Sequence, residues 1–163
     1  MKKIKWYIIA VNLVGLLVFF NFGILSKENV LKEGELVLLE LAPVDPRSLI
    51  QGDYMQLRYK ISETDFSYLD SISKRGYYVV TLKDNGVAEK VRIQENKEPL
   101  QKGEYLINFT YGNWNINIGA ESFFFQEGEG EKYEAAKYGG LKIDREGNSV
   151  LIGLYDENLN QIK

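Results

Sequence analysis

The sequence predicts a mainly β fold of the β-rich α+β kind, an antiparallel sandwich or a partly open barrel with one short helix, preceded by a single amino-terminal transmembrane helix. Three observations support this fold class. Residues 6–25 contain no charged side chain. Several later segments alternate polar and apolar side chains with the period of two that is typical of half-buried strands. Finally, Asn85-Gly86 separates two such segments, as in a tight β-hairpin.

The amino-terminal segment has the length and the flanking charges of a membrane span. Lys2, Lys3 and Lys5 precede the uncharged residues 6–25. At about 1.5 Å of rise per residue this run reaches about 30 Å, which is the thickness of the hydrocarbon core of a bilayer. Basic residues on a short flank hold that flank in the cytoplasm. We therefore expect a single-pass protein of the cytoplasmic membrane with its carboxy-terminal domain outside.

A cleaved signal peptide is the alternative explanation of this segment. The apolar core of a signal peptide spans about 7–15 residues and ends in a small-x-small cleavage site. The run here is longer and passes into Ser26 without such a site, so an uncleaved signal-anchor is favoured. The expected organisation is residues 1–25 as cytoplasmic lysines and anchor, residues 26–34 as a tether or short helix, and residues 35–163 as an extracytoplasmic domain.

The composition limits the chemistry of that domain. The 163 residues include no cysteine and no histidine, which excludes disulfides, thiolate nucleophiles and histidine bases. Beyond the anchor, 23 acidic residues outnumber 17 basic ones, and no basic stripe offers a surface for nucleic acid. We expect no metal site, no cofactor and no nucleic-acid partner, and the sequence favours a protein without catalytic activity.

The strands of the predicted domain follow one another along the chain. In residues 54–61 the alternation places Leu57 and Tyr59 on the buried face and Tyr54 on the other face. The strand segments are 35–41, 54–61, 77–82, 87–93, 106–111, 115–118, 123–125, 141–144 and 150–155. Residues 145–148 are typical of a second hairpin turn.

One segment departs from the period of two. Residues 127–138 begin with acids and end near Lys137, followed by Gly139-Gly140. Acids at the start, a lysine at the end and a glycine cap are typical of a helix. The sequence therefore predicts a helix of two turns here, with the glycine pair as its carboxy-terminal cap.

The stretch from Asp45 to Tyr59 contains the candidate functional residues. Pro46 favours an extended conformation before it, and Gly52 allows the turn into the next strand. Asp45, Arg47 and Asp53 form either a polar ligand site or a set of bonds that fastens the turn. Tyr54 either stacks on a ligand or partner, or covers the edge of a sheet.

The residues Gly52-Asp53-Tyr54-Met55-Gln56-Leu57-Arg58-Tyr59 fit a known signature position by position. They resemble the GDYXXLXY proteins, a family of membrane-anchored bacterial proteins without an established activity. The resemblance covers roughly residues 35–155 and includes the lead-in 44–49 and the segment 125–130. It implies a partner in the membrane, because family members are often encoded beside or fused to polytopic membrane proteins.

Two functional classes follow from these observations. The first is a non-catalytic extracytoplasmic domain that acts with a polytopic membrane protein, held in the bilayer by residues 6–25. The second is a small-ligand-binding domain or a hydrolase in which a lysine activates a serine. For the hydrolase, Ser48 precedes the Gly-Asp turn and Lys90 lies on a later strand, but the sequence after Ser48 departs from the Ser-Met-x-Pro motif of signal peptidases. We therefore favour the first class.

Overall fold

A computed structural model describes residues 2–43, 54–63, 73–112 and 115–163. It begins with one long helix, α1 (Lys2–Glu33). The part of α1 from Ile4 onward is long and apolar enough to cross a membrane, and it is the one such helix among the described residues. The helix continues without a break through residues 26–33, which the sequence left open as a tether or a short helix.

Within the described ranges, nine strands follow α1 and form three antiparallel sheets. The sheets have the strand orders β1-β8-β9, β2-β7 and β4-β3-β5-β6. The strands are β1 (Glu35–Glu40), β2 (Tyr54–Gln56), β3 (Arg75–Leu82), β4 (Ala88–Gln94), β5 (Glu104–Gly112), β6 (Asn115–Asn117), β7 (Ser122–Phe124), β8 (Tyr138–Ile143) and β9 (Ser149–Tyr155). Isolated bridges join the sheets where Leu38 meets Val87 and where Leu41 meets Tyr59.

The sheets curl around one core as a half-open barrel. The main core cluster draws buried side chains from all three sheets, including Leu39, Met55, Ile107 and Leu141. The predicted fold class is thus confirmed, with the barrel favoured over the flat sandwich. Strand order, which the sequence left open, comes from contacts between distant segments.

Both predicted hairpins are present. Asn85-Gly86 lies between β3 and β4, and Gly86 has a φ of 80°, which is the left-handed conformation that glycine adopts without strain. In the turn between β8 and β9, Asp144 accepts hydrogen bonds from the backbone N–H groups of Glu146 and Asn148. Short polar side chains that bond their own turn in this way explain why the local sequence predicts both hairpins.

The predicted strand over residues 54–61 is shorter than expected. Regular pairing covers only β2, and residues Lys60–Ser62 form a 3₁₀ turn. The alternation nevertheless holds, because Met55, Leu57 and Tyr59 are buried while the side chains between them are exposed. Side-chain direction therefore follows the sequence even where the hydrogen-bond ladder stops.

The predicted two-turn helix over residues 127–138 is wrong in its length. The helix, α2, covers only Gly130–Tyr133. Gly139 and Gly140 do not cap it, because both lie inside β8. A side chain at either position would meet a tyrosine ring: Cβ atoms would lie 2.8 Å from Cε1 of Tyr59 and 2.3 Å from Cε2 of Tyr155. The glycine pair is thus required by close packing rather than by a turn.

The carboxy-terminal end of α1 packs directly on the sheet that contains β1, β8 and β9. Val30 is 2% exposed. A Cβ at Gly34 would lie 3.0 Å from the carbonyl oxygen of Ile143. Lys27 Nζ donates to the Ser149 carbonyl at 3.2 Å, and Lys142 Nζ donates to the Gly34 carbonyl at 2.8 Å. The helix and the domain therefore meet through a packed, hydrogen-bonded junction.

Candidate functional site

The Gly-Asp-Tyr signature leads into β2 and the segment after it. Three of the predicted site residues, Tyr54, Leu57 and Tyr59, lie in the described part of the chain. The other four predicted site residues, Asp45, Arg47, Gly52 and Asp53, lie outside the described residues. The described part of the candidate site consists of residues 54–59 and the elements that contact them.

Tyr59 is a core residue that fastens three parts of the chain. Its side chain is 1% exposed, and its hydroxyl donates to the carbonyl oxygen of Ala120 at 2.7 Å. Its ring lies against Gly139 in β8, and its backbone forms an antiparallel bridge with Leu41. Burial, together with the nearby charge of Glu121, raises the pKa of the Tyr59 phenol well above its usual range. Tyr59 therefore acts as a neutral hydrogen-bond donor in the core.

Leu57 has the same structural character. Its side chain is 3% exposed, and its backbone N–H donates to the carbonyl oxygen of Glu121 at 2.7 Å. The next residue, Arg58, accepts a hydrogen bond from the backbone N–H of Ala42 at 2.8 Å. Leu57 and Tyr59 together hold the segment after β2 between the end of β1 and the loop before β7.

Tyr54 is the described signature residue that reaches the surface. It lies opposite Phe124 in the ladder between β2 and β7, and the two rings have centroids 5.7 Å apart and planes inclined at 39°. Phe124 is 73% exposed, although large aromatic side chains at the surface of a domain lose the free energy of burial. Tyr54 and Phe124, here called the aromatic pair, form an accessible apolar surface at the start of β2.

A second aromatic group lies on the other face of the same short sheet. Phe123 and Phe125 contact the ring of Tyr133 in α2, with centroid distances of 4.9 and 5.5 Å. Tyr133 is 8% exposed. This packing fixes the strand that presents Phe124, so the aromatic pair is supported from behind by a buried cluster.

A bidentate ion pair in the described part of the chain joins β4 and β5. Arg92 in β4 contacts both carboxylate oxygens of Glu104 in β5, at 2.5 and 2.8 Å. Glu104 also accepts a hydrogen bond from the backbone N–H of Gln101. The Arg92 side chain, and then this backbone bond, lower the pKa of Glu104 to about 2. The pair holds β4 against the loop that leads to β5.

Of the two residues considered for a hydrolase, Lys90 lies in the described part of the chain. Lys90 is exposed, with its Nζ 5.6 Å from the centre of the Tyr78 ring and 3.5 Å from the Ile61 carbonyl oxygen. Ser48 lies outside the described residues. Over the ranges that the structure describes, no three acidic side chains are grouped as metal ligands.

A comparison with protein families finds a match that covers most of the chain. The model described as "GDYXXLXY protein" matches residues 16–154.

The chain belongs to this family.

The match starts inside α1 and ends in β9, so the family pattern includes part of the apolar helix together with almost the whole domain. No curated protein and no solved structure matches the chain. In this GDYXXLXY protein, the resemblance predicted from residues 52–59 is therefore confirmed. The described fixed positions of the signature divide into two structural residues, Leu57 and Tyr59, and one surface residue, Tyr54.

Two residues of the site escaped sequence reasoning. Phe124 belongs to the run Phe123-Phe124-Phe125, in which a period of two forces the central ring to the face opposite its neighbours. That parity was the signal that one phenylalanine is exposed. Gly139 gave no comparable signal, because the ring that contacts it belongs to Tyr59, which is distant in sequence.

Proposed function

We propose that this GDYXXLXY protein is a non-catalytic domain on the outer face of the cytoplasmic membrane, anchored by α1, that acts together with a polytopic membrane protein. The observation that carries the proposal is the packed junction between α1 and the domain. A loose tether would let the domain move freely above the bilayer, whereas buried Val30 and the hydrogen bond of Lys142 to Gly34 hold it at a fixed height and rotation.

A fixed junction suits a protein that presents one surface to a neighbour in the same membrane. The aromatic pair supplies such a surface, since Phe124 is exposed and its strand is held by Tyr133. Aromatic rings are enriched where proteins contact one another. The family match supports the same arrangement, because it includes both part of the apolar helix and the domain.

Because the chain contains no cysteine, its membrane topology can be tested with single introduced cysteines. We would introduce Glu157→Cys in the exposed turn after β9, and Lys5→Cys before the apolar run, each as the sole cysteine of the full chain. A membrane-impermeant maleimide should label the first variant in intact cells and the second only after the membrane is opened. The reverse labelling pattern would contradict the proposed orientation.

The partner can be tested by cross-linking in native membranes before solubilisation. We expect the tagged full chain to recover the same multi-span membrane protein in repeated experiments. The control carries an unrelated single-span anchor in place of residues 6–25 and shows which contacts need α1. Recovery of the chain alone after cross-linking would refute the proposal.

A small-ligand-binding domain is the second candidate, and the exposed aromatic pair is the observation that favours it. Ring stacking on Phe124 would bind a flat or sugar-like ligand. A ligand that raises the unfolding temperature of the wild type but not of a Phe124→Ala variant would support this candidate.

For the hydrolase alternative, unchanged biological activity in Ser48→Ala and Lys90→Ala variants would dispose of the mechanism.

A further inference from the structure

Two asparagines interrupt the apolar part of α1, and they differ in their hydrogen bonding. Asn21 Nδ2 donates to the carbonyl oxygen of Leu17 at 2.8 Å, within its own helix. Asn12 is exposed, and among the described residues no hydrogen bond involves its amide. It lies about 5 Å from the midpoint of residues 6–25, at about 1.5 Å per residue. In hydrocarbon no water can satisfy such an amide, so it favours contact with a polar group of another helix.

The position of Asn12 around the helix is related to the junction with the domain. Phe19, Gly23 and Val30 follow Asn12 by about two, three and five full turns at 3.6 residues per turn, so all four lie on one face. Gly23 leaves space on this face, since a Cβ there would meet nothing within 4 Å. Asn21 lies about two and a half turns from Asn12 and therefore faces the other way.

The domain covers the outer end of this same face. Val30 is buried against the sheet that contains β8 and β9. A second copy of the chain, packed in parallel on the face of Asn12, would bring its own helix end and domain into the space that the first domain occupies. A helix that ends at the membrane surface, as in a polytopic protein with short loops, fits beneath the domain without this clash.

We propose that the Asn12 face, defined as Asn12, Leu16, Phe19 and Gly23, packs against a transmembrane helix of a polytopic protein and that the Asn12 amide hydrogen-bonds a polar group of that helix. The inference rests on the proposed function and adds the contact surface. Gly23 allows close approach of the two backbones, which is the usual basis of helix association in lipid.

The experiment places a photo-reactive amino acid in α1 of the full chain in native membranes. Leu16 and Phe19 report on the Asn12 face, while Val14 and Leu25 lie on the opposite side and serve as controls. We expect cross-links from the first two positions, but not from the controls, to a peptide inside a membrane span of a multi-span protein.

Asn12→Leu and Asn21→Leu form the matched pair of variants. Both changes make the helix more apolar, so both should keep the protein in the membrane fraction. Loss of one interhelical hydrogen bond should reduce cross-linking about 3- to 30-fold in Asn12→Leu. Asn21→Leu should leave cross-linking unchanged, because Asn21 lies on the opposite face of α1 and its amide already donates within its own helix.

Three results would overturn the inference. They are cross-linking to a second copy of this chain, equal cross-linking from both faces of α1, and full cross-linking in Asn12→Leu. If the domain still recovers a polytopic protein in these cases, the proposed function stands and only the contact surface is wrong. If neither α1 nor the domain of the wild type cross-links to a polytopic protein, the proposed function fails as well.

Discussion

Substitution of Gly139 by alanine tests the claim that close packing, not a helix cap, requires glycine at this position. The new Cβ would lie 2.8 Å from Cε1 and 2.9 Å from the hydroxyl oxygen of Tyr59. That ring cannot move aside cheaply, because it is 1% exposed and its hydroxyl is bonded to Ala120. Overpacking of this kind costs about 1–3 kcal/mol in the free energy of unfolding.

The matched control is Gly112→Ala at the end of β5. A Cβ at Gly112 would meet nothing within 4 Å, so the change should alter the free energy of unfolding by less than about 0.5 kcal/mol. For a domain of about 130 residues, 1 kcal/mol corresponds to about 4 °C in Tm. We therefore expect Gly139→Ala to lower Tm by roughly 4–12 °C and Gly112→Ala to leave it nearly unchanged, as measured by near-ultraviolet circular dichroism of the full chain in detergent.

A second background links the effect to the ring itself. In a Tyr59→Leu variant the atoms that the new Cβ would meet are absent, so the cost of Gly139→Ala should fall by about 1 kcal/mol or more, as contacting pairs commonly couple. Equal costs for Gly139→Ala in both backgrounds would refute the packing argument. So would equal Tm values for Gly139→Ala and Gly112→Ala.

Three further predictions concern the ion pair, the core tyrosine and the exposed ring. The pKa of Glu104 is lowered to about 2 in the folded protein. Its pairing with Arg92 therefore stabilises the fold above about pH 4.5, and this stabilisation is lost as the pH falls toward 2. Between these two pH values, the Tm of Glu104→Gln should decline less than the Tm of the wild type. Tyr59→Phe removes a buried hydrogen bond and should lower the free energy of unfolding by about 1–3 kcal/mol. Because the pKa of Tyr59 is raised, this phenol should stay protonated near pH 10, so the absorbance change from tyrosine ionisation in the native variant should equal that of the wild type. A smaller absorbance change in the variant would contradict the burial of Tyr59. Phe124→Ser should change Tm by no more than about 2 °C because the ring is 73% exposed, and a larger loss would show that the ring has a structural role.

The features that the sequence alone determined are those encoded within a few neighbouring residues. The uncharged run 6–25 specifies an apolar helix, Asn85-Gly86 specifies a hairpin, and the alternation in residues 54–61 places Leu57 and Tyr59 inside. Each depends on a local period or on the conformational freedom of one residue. The signature itself was also recognisable locally, and it is this pattern that the family match confirms.

The tertiary structure decided the features that depend on residues far apart in the chain. Gly139 and Tyr59 are 80 positions apart, and only the sheet contacts bring them together; the local pattern around Gly139 was instead typical of a helix end. The exposure of Phe124 against Tyr54 and the burial of Val30 against the domain arise in the same way. Local periodicity fixes which way a side chain points, but which surface meets it depends on how the sheets curl.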